Sequence, residues 1–283
     1  MIKVFPSARE MQAAALGARG EGRTIGFVPT MGALHEGHLT LMRQARAETD
    51  LVAVSIFVNP LQFGPKEDLA AYPRDFAGDE RMCGGEKVDW LFYPTPAEMY
   101  PAGYRTYVNV EELGDVLCGR SRPGHFRGVA TVVLKLFNIV QPSRAYFGWK
   151  DAQQFLILRR MVEDLNLPLE MIGVETVREA DGLAMSSRNR YLTPRERAEA
   201  PVLRRALVMA RERALDAVSP LSAEELRDEM ATMIRSESSG ETDYIEFVSM
   251  KDLKPAARVE TGTLIALAAQ FGKARLIDNI RIE

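Results

Sequence analysis

The chain has 283 residues, which is enough for one large domain or for a nucleotide-sized domain together with a smaller one. Its 36 Lys and Arg residues against 39 Asp and Glu residues give a net charge of −3, which excludes a broad positive surface for non-specific nucleic-acid binding. Cys83 and Cys118 match no metal-ligand spacing, and the N-terminal residues contain no long apolar run. We therefore expect a cytoplasmic protein without a signal peptide or a membrane anchor.

The first part of the chain alternates between strand-like and helix-like segments. Residues 24–28 and 51–57 are apolar runs typical of buried strands, and a helical pattern over residues 37–48 lies between them. The alternation continues with a strand over residues 88–93, a helix over 129–140, the strand AYFG, a helix over 151–165 and the strand LEMIGVETV. This order predicts an α/β fold with a Rossmann-like parallel sheet and helices on both of its faces.

The pattern changes after residue 177. Two polar helices, which open near Thr193 and Ser222, precede three strand-like runs, TDYIEFVSM, TLIALAAQF and ARLIDNIRI. Helices followed by grouped strands indicate a separate α+β domain. We therefore predict a Rossmann-like domain over residues 1–176 and a smaller C-terminal α+β domain over residues 177–283.

The segment PTMGALHEGHLTLMRQA, residues 29–45, joins the end of a strand, a glycine-containing turn and the start of a helix. His35 and His38 are three residues apart and share one face of that helix. Backbone N–H groups and the positive end of the helix dipole make such a helix start a site for phosphate, and imidazoles add donors. One alternative is an ordinary helix start with solvated histidines. Another is a zinc site, although HEGH lacks the histidine spacing of HExxH and no third ligand is evident.

Two further segments could hold a nucleotide, since neither GxxxxGK[ST] nor GxGxxG occurs in the chain. In YFGWKDAQQF, a strand ends at Gly148, Lys150 could meet phosphate, and Asp151 could either bind ribose hydroxyls or cap the helix. In GLAMSSRNRYL, two hydroxyls and a guanidinium suit a phosphate clamp. The alternative for GLAMSSRNRYL is a surface loop that leads to the Thr193 helix cap.

Neutral amides form a third group of polar candidates. Asn59 and Gln62 follow the second strand in FVNPLQFGP, and Gln154 lies near the start of a later helix. Amides suit a carboxylate or hydroxyl substrate that must be oriented without being neutralised. We also expect His125 and Arg127, in the basic segment GRSRPGHFRGV, to shape a substrate-facing loop. Simple surface exposure is the alternative for each of these residues.

The chain resembles the pantothenate synthetase (pantoate–β-alanine ligase) family over nearly its whole length. The resemblance is carried, in order, by PTMGALHEGHL, FVNPLQF, RPGHFRGVATVV, FGWKDAQQ, VREADGLAMSSRNRYL and RLIDNI. HEGH and MSSRN resemble that family's versions of the HIGH and KMSKS motifs of adenylate-forming nucleotidylyltransferases. Either motif alone would be a weak signal, whereas the ordered set is specific.

The resemblance implies a ligase that forms an acid–amino-acid C–N bond. It would condense (R)-pantoate with β-alanine through a pantoyl-adenylate intermediate, giving pantothenate, AMP and pyrophosphate in the coenzyme A pathway. It further implies ATP with Mg²⁺ and no tightly bound organic cofactor, a homodimer, and neither a nucleic-acid nor a membrane partner. The first domain would bind nucleotide and pantoate, and the C-terminal domain would close over the ATP site.

The resemblance also assigns roles to residues. His38 would be the proton donor, and His35, Lys150 and Arg188 would be the other catalytic residues. Gln62 would bind pantoate and β-alanine, and Gln154 would bind pantoate. The ATP-binding residues would be Met31, Gly32, Ala33, Leu34, His35, Glu36, Gly37, His38, Gly148, Trp149, Lys150, Asp151, Val177, Met185, Ser186, Ser187 and Arg188. The sequence assigns no ligand to the magnesium ion.

Trp149 stands where the family usually has glutamate, in FGEKD. If that carboxylate contributed to magnesium or ribose binding, nucleotide affinity would be altered here. Residues 64–80 are polar and contain Gly and Pro, so we interpret them as a lid that protects a water-sensitive adenylate.

Three rival functions remain at this stage. The chain could be a cytidylyltransferase, a small aminoacyl-tRNA synthetase-like protein or a catalytically silent nucleotide-binding sensor. A synthetase-like protein would need an RNA surface, which the nearly neutral charge and the lack of an evident anticodon-binding module argue against. The intact set of His35, His38, Lys150 and Arg188 argues against a silent sensor.

Overall fold

The computed structural model describes residues 2–65, 67 and 69–283. The chain is organised in two compact units. The first comprises Met1–Gly148 and Ile157–Glu175, and the second comprises Trp149–Leu156 and Thr176–Glu283. The predicted boundary at residue 177 lies next to one of the points where the chain passes from one unit to the other. The division into two domains stays a prediction.

The first unit is built on a parallel sheet. Among the described residues it has six strands in the order β1-β4-β3-β2-β5-β6. The strands are β1 (Lys3–Phe5), β2 (Ile25–Thr30), β3 (Leu51–Ile56), β4 (Trp90–Phe92), β5 (Arg144–Gly148) and β6 (Glu170–Val174). All of the pairings between them are parallel, which confirms the predicted α/β class. Strand β1 was not predicted.

Helices alternate with these strands along the chain. They are α1 (Ala8–Gly20), α2 (Glu36–Glu48), α3 (Phe76–Gly85), α4 (Pro96–Met99), α5 (Cys118–Ser121), α6 (His125–Val140) and α7 (Ala152–Asp164). Residues 152–156 of α7 belong to the second unit. Helices α1 and α3 were not predicted, and α6 begins four residues earlier than the apolar pattern indicated.

The central strands are buried on both faces, which explains their continuous apolar sequences. Successive side chains of a strand point to opposite faces of the sheet. Accordingly, Val28 of β2 belongs to the same core cluster as Leu41 and Met42 of α2. The neighbouring Phe27 instead packs edge-on against Phe137 of α6, with ring centroids 6.4 Å apart. Helices therefore cover both faces, as predicted.

The predicted lid over residues 64–80 is partly wrong. Residues 76–80 form the first half of α3, which starts at the N-cap Asp75. They are therefore part of a regular helix that packs beside the sheet, and Cys83 of α3 lies in the core cluster of Val28. Lys66 and Asp68, which the lid interpretation also included, lie outside the described residues.

The second unit combines helices with an antiparallel sheet. Its elements are α8 (Pro194–Glu199), α9 (Val202–Asp216), β7 (Leu221–Ser222), α10 (Ala223–Glu237), β8 (Glu241–Ser249), β9 (Arg258–Val259), β10 (Thr263–Phe271) and β11 (Ala274–Arg281). Strands β8 and β11 pair with β10, which confirms the smaller α+β part. The predicted caps Thr193 and Ser222 are observed, but the first predicted helix is divided into α8 and α9.

No helix in the described part of the chain combines the length and the apolar character that are needed to cross a bilayer.

Candidate active site

The carboxyl end of β2 continues into a tight loop. Thr30 donates its hydroxyl to the backbone carbonyl of Ser55 at 2.7 Å and accepts a hydrogen bond from the Gly32 N–H at 3.2 Å. Gly32 has φ of +82° and Ala33 has φ of +52°. Glycine adopts this left-handed region without strain, whereas alanine does not. The PTMGAL segment thus makes a turn that the rest of the site must stabilise.

His35 and His38 organise the start of α2. His35 is the N-cap residue, and its Nδ1 accepts a hydrogen bond from the Gly37 N–H at 3.2 Å. The N–H of His35 in turn donates to Nδ1 of His38 at 3.3 Å, and the two ring centroids are 4.2 Å apart. Since each Nδ1 is an acceptor, the neutral imidazoles carry their proton on Nε2. Each ring therefore carries an Nε2–H at the positive end of a helix, where hydrogen-bond donors favour an anion.

The carboxylate of Asp79, in the first turn of α3, is hydrogen-bonded to the backbone of this loop. Oδ2 accepts a hydrogen bond from the Ala33 N–H at 3.0 Å, and Oδ1 accepts one from the Leu34 N–H at 2.8 Å. Asp79 is only 4% exposed. Burial raises the pKa of its carboxyl above the ordinary aspartate value, and the two N–H donors oppose that rise.

Gln62 lies beside the same loop. Its Oε1 accepts a hydrogen bond from Asn59 Nδ2 at 3.0 Å, and its Nε2 lies 3.2 Å from Sδ of Met31. Asn59 is fixed in turn, because it donates to the Gly128 carbonyl at 3.1 Å and accepts a hydrogen bond from the Tyr100 hydroxyl at 2.8 Å. The segments FVNPLQF and PTMGAL are thus brought together, with both predicted residues Met31 and Gln62 in contact.

A cavity of about 620 Å³ opens next to Gln62, and His125 and Arg127 line it. Both residues lie in the first turn of α6 and not in the predicted loop, and their contact with a substrate stays a prediction. Nδ1 of His125 is 2.8 Å from the backbone carbonyl of Gln62, so this ring nitrogen carries a proton and donates it. Arg122 forms a two-point ion pair with Glu67, at 2.7 and 2.5 Å, and its guanidinium holds the pKa of that carboxyl below the ordinary value. Basic and acidic groups therefore fix the walls of the cavity around Gln62.

In the second unit, Asn279 fixes the segment that contains Lys150. Its Nδ2 donates to the backbone carbonyl of Trp149 at 2.8 Å and to that of Lys150 at 3.0 Å. The indole of Trp149 lies under the guanidinium of Arg281, which is 4.2 Å from the ring centroid, and packs against Phe155. Nζ of Lys150 is 3.7 Å from Oδ2 of Asp151. Asp151 itself is exposed, and α7 begins one residue later.

The predicted phosphate clamp folds back on Val177. The Met185 N–H donates to the Val177 carbonyl at 3.0 Å, which places these two predicted ATP-binding positions side by side. Ser186 then caps a short 3₁₀ turn, Ser187–Tyr191, by accepting a hydrogen bond from the Arg188 N–H at 3.3 Å. The segment is therefore an ordered turn and not only a surface loop before Thr193. Gln154 lies in the first turn of α7 and is half-buried.

No group of three or more His, Cys, Asp or Glu side chains arranged to hold a metal ion is found among the residues that are described.

The model of the family Pantoate-beta-alanine ligase matches residues 3–281 of the chain. The chain belongs to the pantoate–β-alanine ligase family. This assignment confirms the resemblance that the ordered motifs indicated and places the chain among ligases.

Relatives within the pantoate–β-alanine ligase family match over whole chains. The pantothenate synthetase of Heliobacterium modesticaldum is 56% identical over 282 residues, which cover 100% of both chains. A crystal structure of pantothenate synthetase from Thermus thermophilus is 46% identical and superimposes with a TM-score of 0.92 over 99% of each chain. A pantoate–β-alanine ligase from Francisella tularensis, crystallised with β-γ ATP and β-alanine, is 33% identical, with a TM-score of 0.81 over 100% of this chain and 98% of that one.

Sequence reasoning missed several residues that shape the site of this pantoate–β-alanine ligase family member. Asp79 was assigned to a lid, although its carboxylate lies under the histidine loop. Asp278 and Asn279 were noticed only as part of the motif RLIDNI. A usable signal existed for Asp79, because Phe76, Asp79 and Cys83 recur at helical spacing and a carboxylate on such an apolar face needs a partner.

Proposed function

We propose that the protein joins (R)-pantoate to β-alanine in a reaction that consumes ATP. In the first step a pantoate carboxylate oxygen attacks the α-phosphorus of ATP, and the bond to pyrophosphate breaks. In the second step the amine of β-alanine attacks the acyl carbon of pantoyl adenylate, loses a proton and displaces AMP. The single observation that carries the proposal is the family match over residues 3–281.

In this proposal the two imidazoles act on the phosphates. Attack at phosphorus depends on positioning and on stabilising charge more than on covalent help. His38 and His35 present Nε2–H donors where α2 begins, so they can donate to phosphate oxygens that gain negative charge. His38 has the role that the resemblance describes as proton donor, and it acts here by donating a hydrogen bond from Nε2–H. The ATP site around the two histidines is lined by Met31, Gly32, Ala33, Leu34, Glu36 and Gly37.

The resemblance assigns further ATP-binding residues, which are part of this proposal. Lys150 and Arg188 supply positive charge to the phosphates, and Ser186 and Ser187 supply hydroxyl donors. The nucleoside part is bound by Gly148, Trp149, Asp151 and the Val177 backbone, as the family resemblance implies. Local hydrogen bonds support this part of the proposal. Asn279 fixes the Lys150 segment, and the Val177 carbonyl accepts a hydrogen bond from the Met185 N–H.

Amides orient the acid and amine substrates in the same proposal. Gln62 binds pantoate and afterwards β-alanine, and Gln154 binds pantoate. The amide of Gln62 is held by Asn59 at a cavity wall, so it reaches a substrate with little loss of side-chain freedom. A neutral amide can orient a carboxylate without lowering its nucleophilicity as a cation would.

Three finer points belong to the proposal: the magnesium ion, the oligomeric state and the compartment. Mg²⁺ enters with ATP, as this ion is commonly bound through substrate phosphates and one or two carboxylates. The protein is a homodimer, as the family resemblance implies. It works in the cytoplasm, where its two buried thiols, Cys83 and Cys118, stay reduced.

One assay tests the proposal against its rivals. The protein is mixed with MgATP and (R)-pantoate, with and without β-alanine, and the products are separated. We expect AMP and pyrophosphate, with pantothenate only when β-alanine is present. Pantoate labelled with ¹⁸O in its carboxylate should transfer one labelled oxygen to AMP. Formation of ADP, preference for CTP, absence of turnover or unlabelled AMP would each refute the proposed reaction.

A further inference from the structure

The contact between Asp79 and the histidine loop joins two segments that are far apart in the sequence. Asp79 lies in the first turn of α3, and each of its carboxylate oxygens accepts one backbone N–H, from Ala33 or from Leu34. The aspartate is 4% exposed. A buried carboxylate is tolerated only where hydrogen bonds compensate for the lost water, so these two bonds matter to the folded protein.

The loop needs such a support because its backbone is unfavourable. Ala33 has φ of +52°, in the left-handed region that a residue with a Cβ atom rarely adopts. The next residues lead directly to His35, whose own N–H donates to Nδ1 of His38. Fixing the amides of Ala33 and Leu34 therefore fixes the peptide that orients both imidazoles.

We propose that Asp79 is a positioning residue that sets the orientation of His35 and His38 through the amides of Ala33 and Leu34. The inference deepens the proposed function and rests on it. Asp79 is buried and both of its carboxylate oxygens bond to the loop, so we assign it a role that acts through the imidazoles and not through contact with a substrate.

The geometry of Gly32 supports the same assignment. A Cβ atom on Gly32 would lie 2.8 Å from Oδ2 of Asp79, and the φ of Gly32 is +82°. The loop and the carboxylate are thus packed so closely that only glycine fits between them. Gly32→Ala should disturb the contact from the loop side, while Asp79→Asn disturbs it from the helix side.

Asp75 provides a matched control in the same helix. It is the N-cap of α3, and its Oδ1 accepts a hydrogen bond from the Gly78 N–H at 3.0 Å. Asp75→Ala weakens the start of α3 without removing a bond to the histidine loop. A merely structural role for Asp79 would therefore give the same result in both variants.

The test is a single-turnover measurement of pyrophosphate release with saturating MgATP and (R)-pantoate and no β-alanine. Its amplitude reports the fraction of active sites, and its rate constant reports adenylation. In Asp79→Asn the amide NH₂ group faces one N–H of the loop. Both groups are donors, so one of the two hydrogen bonds is lost. We expect its rate constant to fall at least ~10-fold with the amplitude retained, and Gly32→Ala to behave alike. Asp75→Ala should stay within about twofold of the wild-type rate constant.

An Asp79→Asn rate constant close to the wild-type value, a loss of amplitude alone, or an equal slowing by Asp75→Ala would overturn the inference. If Asp79→Asn does not fold, Gly32→Ala decides, and an unchanged rate constant in that variant refutes the positioning role. If the wild-type protein releases no pyrophosphate, the proposed function fails, which is a different result from the failure of this inference.

Discussion

The guanidinium of Arg178 donates to both carboxylate oxygens of Asp278, at 2.7 and 2.9 Å, within the second unit. The same arginine donates to the Gly182 carbonyl at 3.0 Å, and Oδ1 of Asp278 accepts the N–H of Asn279 at 2.8 Å. Asn279 holds the carbonyls of Trp149 and Lys150. The Arg178–Asp278 pair, with the adjacent Asn279 of β11, thus connects VREADG and GWKD, two of the motifs that carried the family resemblance.

Breaking this pair should strongly destabilise the protein. Asp278 is 4% exposed, so Asp278→Asn leaves the Arg178 charge without its partner and should lower the free energy of unfolding by about 3 kcal/mol. Urea denaturation followed by circular dichroism measures the loss. Glu237→Gln, which removes the exposed partner of Arg205, is the control and should cost less than about 1 kcal/mol. Equal losses in the two variants would contradict the role of burial.

Removing the imidazole of His38 should abolish most of the adenylation activity while the fold persists. His38→Ala loses an Nε2–H donor at the start of α2, and we expect pyrophosphate release to slow by at least ~100-fold. The control is Gln44→Ala, since Gln44 lies further along α2 and bonds to Glu48. The thermal midpoint shows whether both variants are folded. Near-normal turnover in His38→Ala would remove this residue from the mechanism.

Truncating Gln62 should affect the acid and amine substrates more than the nucleotide. Gln62→Ala removes an amide that Asn59 presents at the cavity, so we expect KM for pantoate and for β-alanine to rise about 10-fold. The dissociation constant for ATP, measured by calorimetry, should change little. Gln12→Ala, at a glutamine of α1 that bonds to the Asn138 carbonyl, should change none of the three constants. A selective loss of ATP affinity in Gln62→Ala would reverse the assignment.

The ion pair between Glu67 and Arg122 should make a pH-dependent contribution to stability. Arg122 lowers the pKa of Glu67 in the folded state below its ordinary value of 4.5. The pair therefore stabilises the protein above that value, and the contribution is lost as the pH falls through the lowered pKa.

Comparing thermal midpoints of the wild type and Glu67→Gln tests this contribution. The variant should melt at a lower temperature than the wild type at about pH 7. The difference between their thermal midpoints should shrink as the pH falls to about 3. The exposed Glu212→Gln should match the wild type at both pH values. A difference that persists unchanged in acid would show that the charge of Glu67 is not its cause.

The parallel sheet could be predicted because it depends on local patterns. The continuous apolar runs of β2 and β3, with α2 between them, specify a βαβ unit from short stretches of sequence. Helix α1 was missed although its local sequence indicates a helix. Ser7 caps it by accepting a hydrogen bond from the Glu10 N–H, and the buried residues Met11, Ala15 and Ala18 recur at helical spacing.

The site could be predicted only in part, for a related reason. His35, Gln62, Lys150 and Arg188 belong to short motifs whose residue types indicate phosphate or carboxylate chemistry. The supports of these motifs are distant in the sequence, as Asp79 is from Ala33 and Asn279 is from Lys150. Hydrogen bonds of this kind depend on the folded topology. The sequence can indicate that the Asp79 carboxylate needs a partner, but it does not indicate which residue supplies it.

The contacts of Trp149 with Arg281 and Phe155 have a practical consequence. The chain contains two tryptophans, and the other, Trp90, lies in β4. A Trp90→Phe protein would carry a single indole fluorophore, adjacent in sequence to Lys150. Its emission would report on that segment during titration with nucleotide, an intrinsic optical signal that the family's usual glutamate at this position could not give.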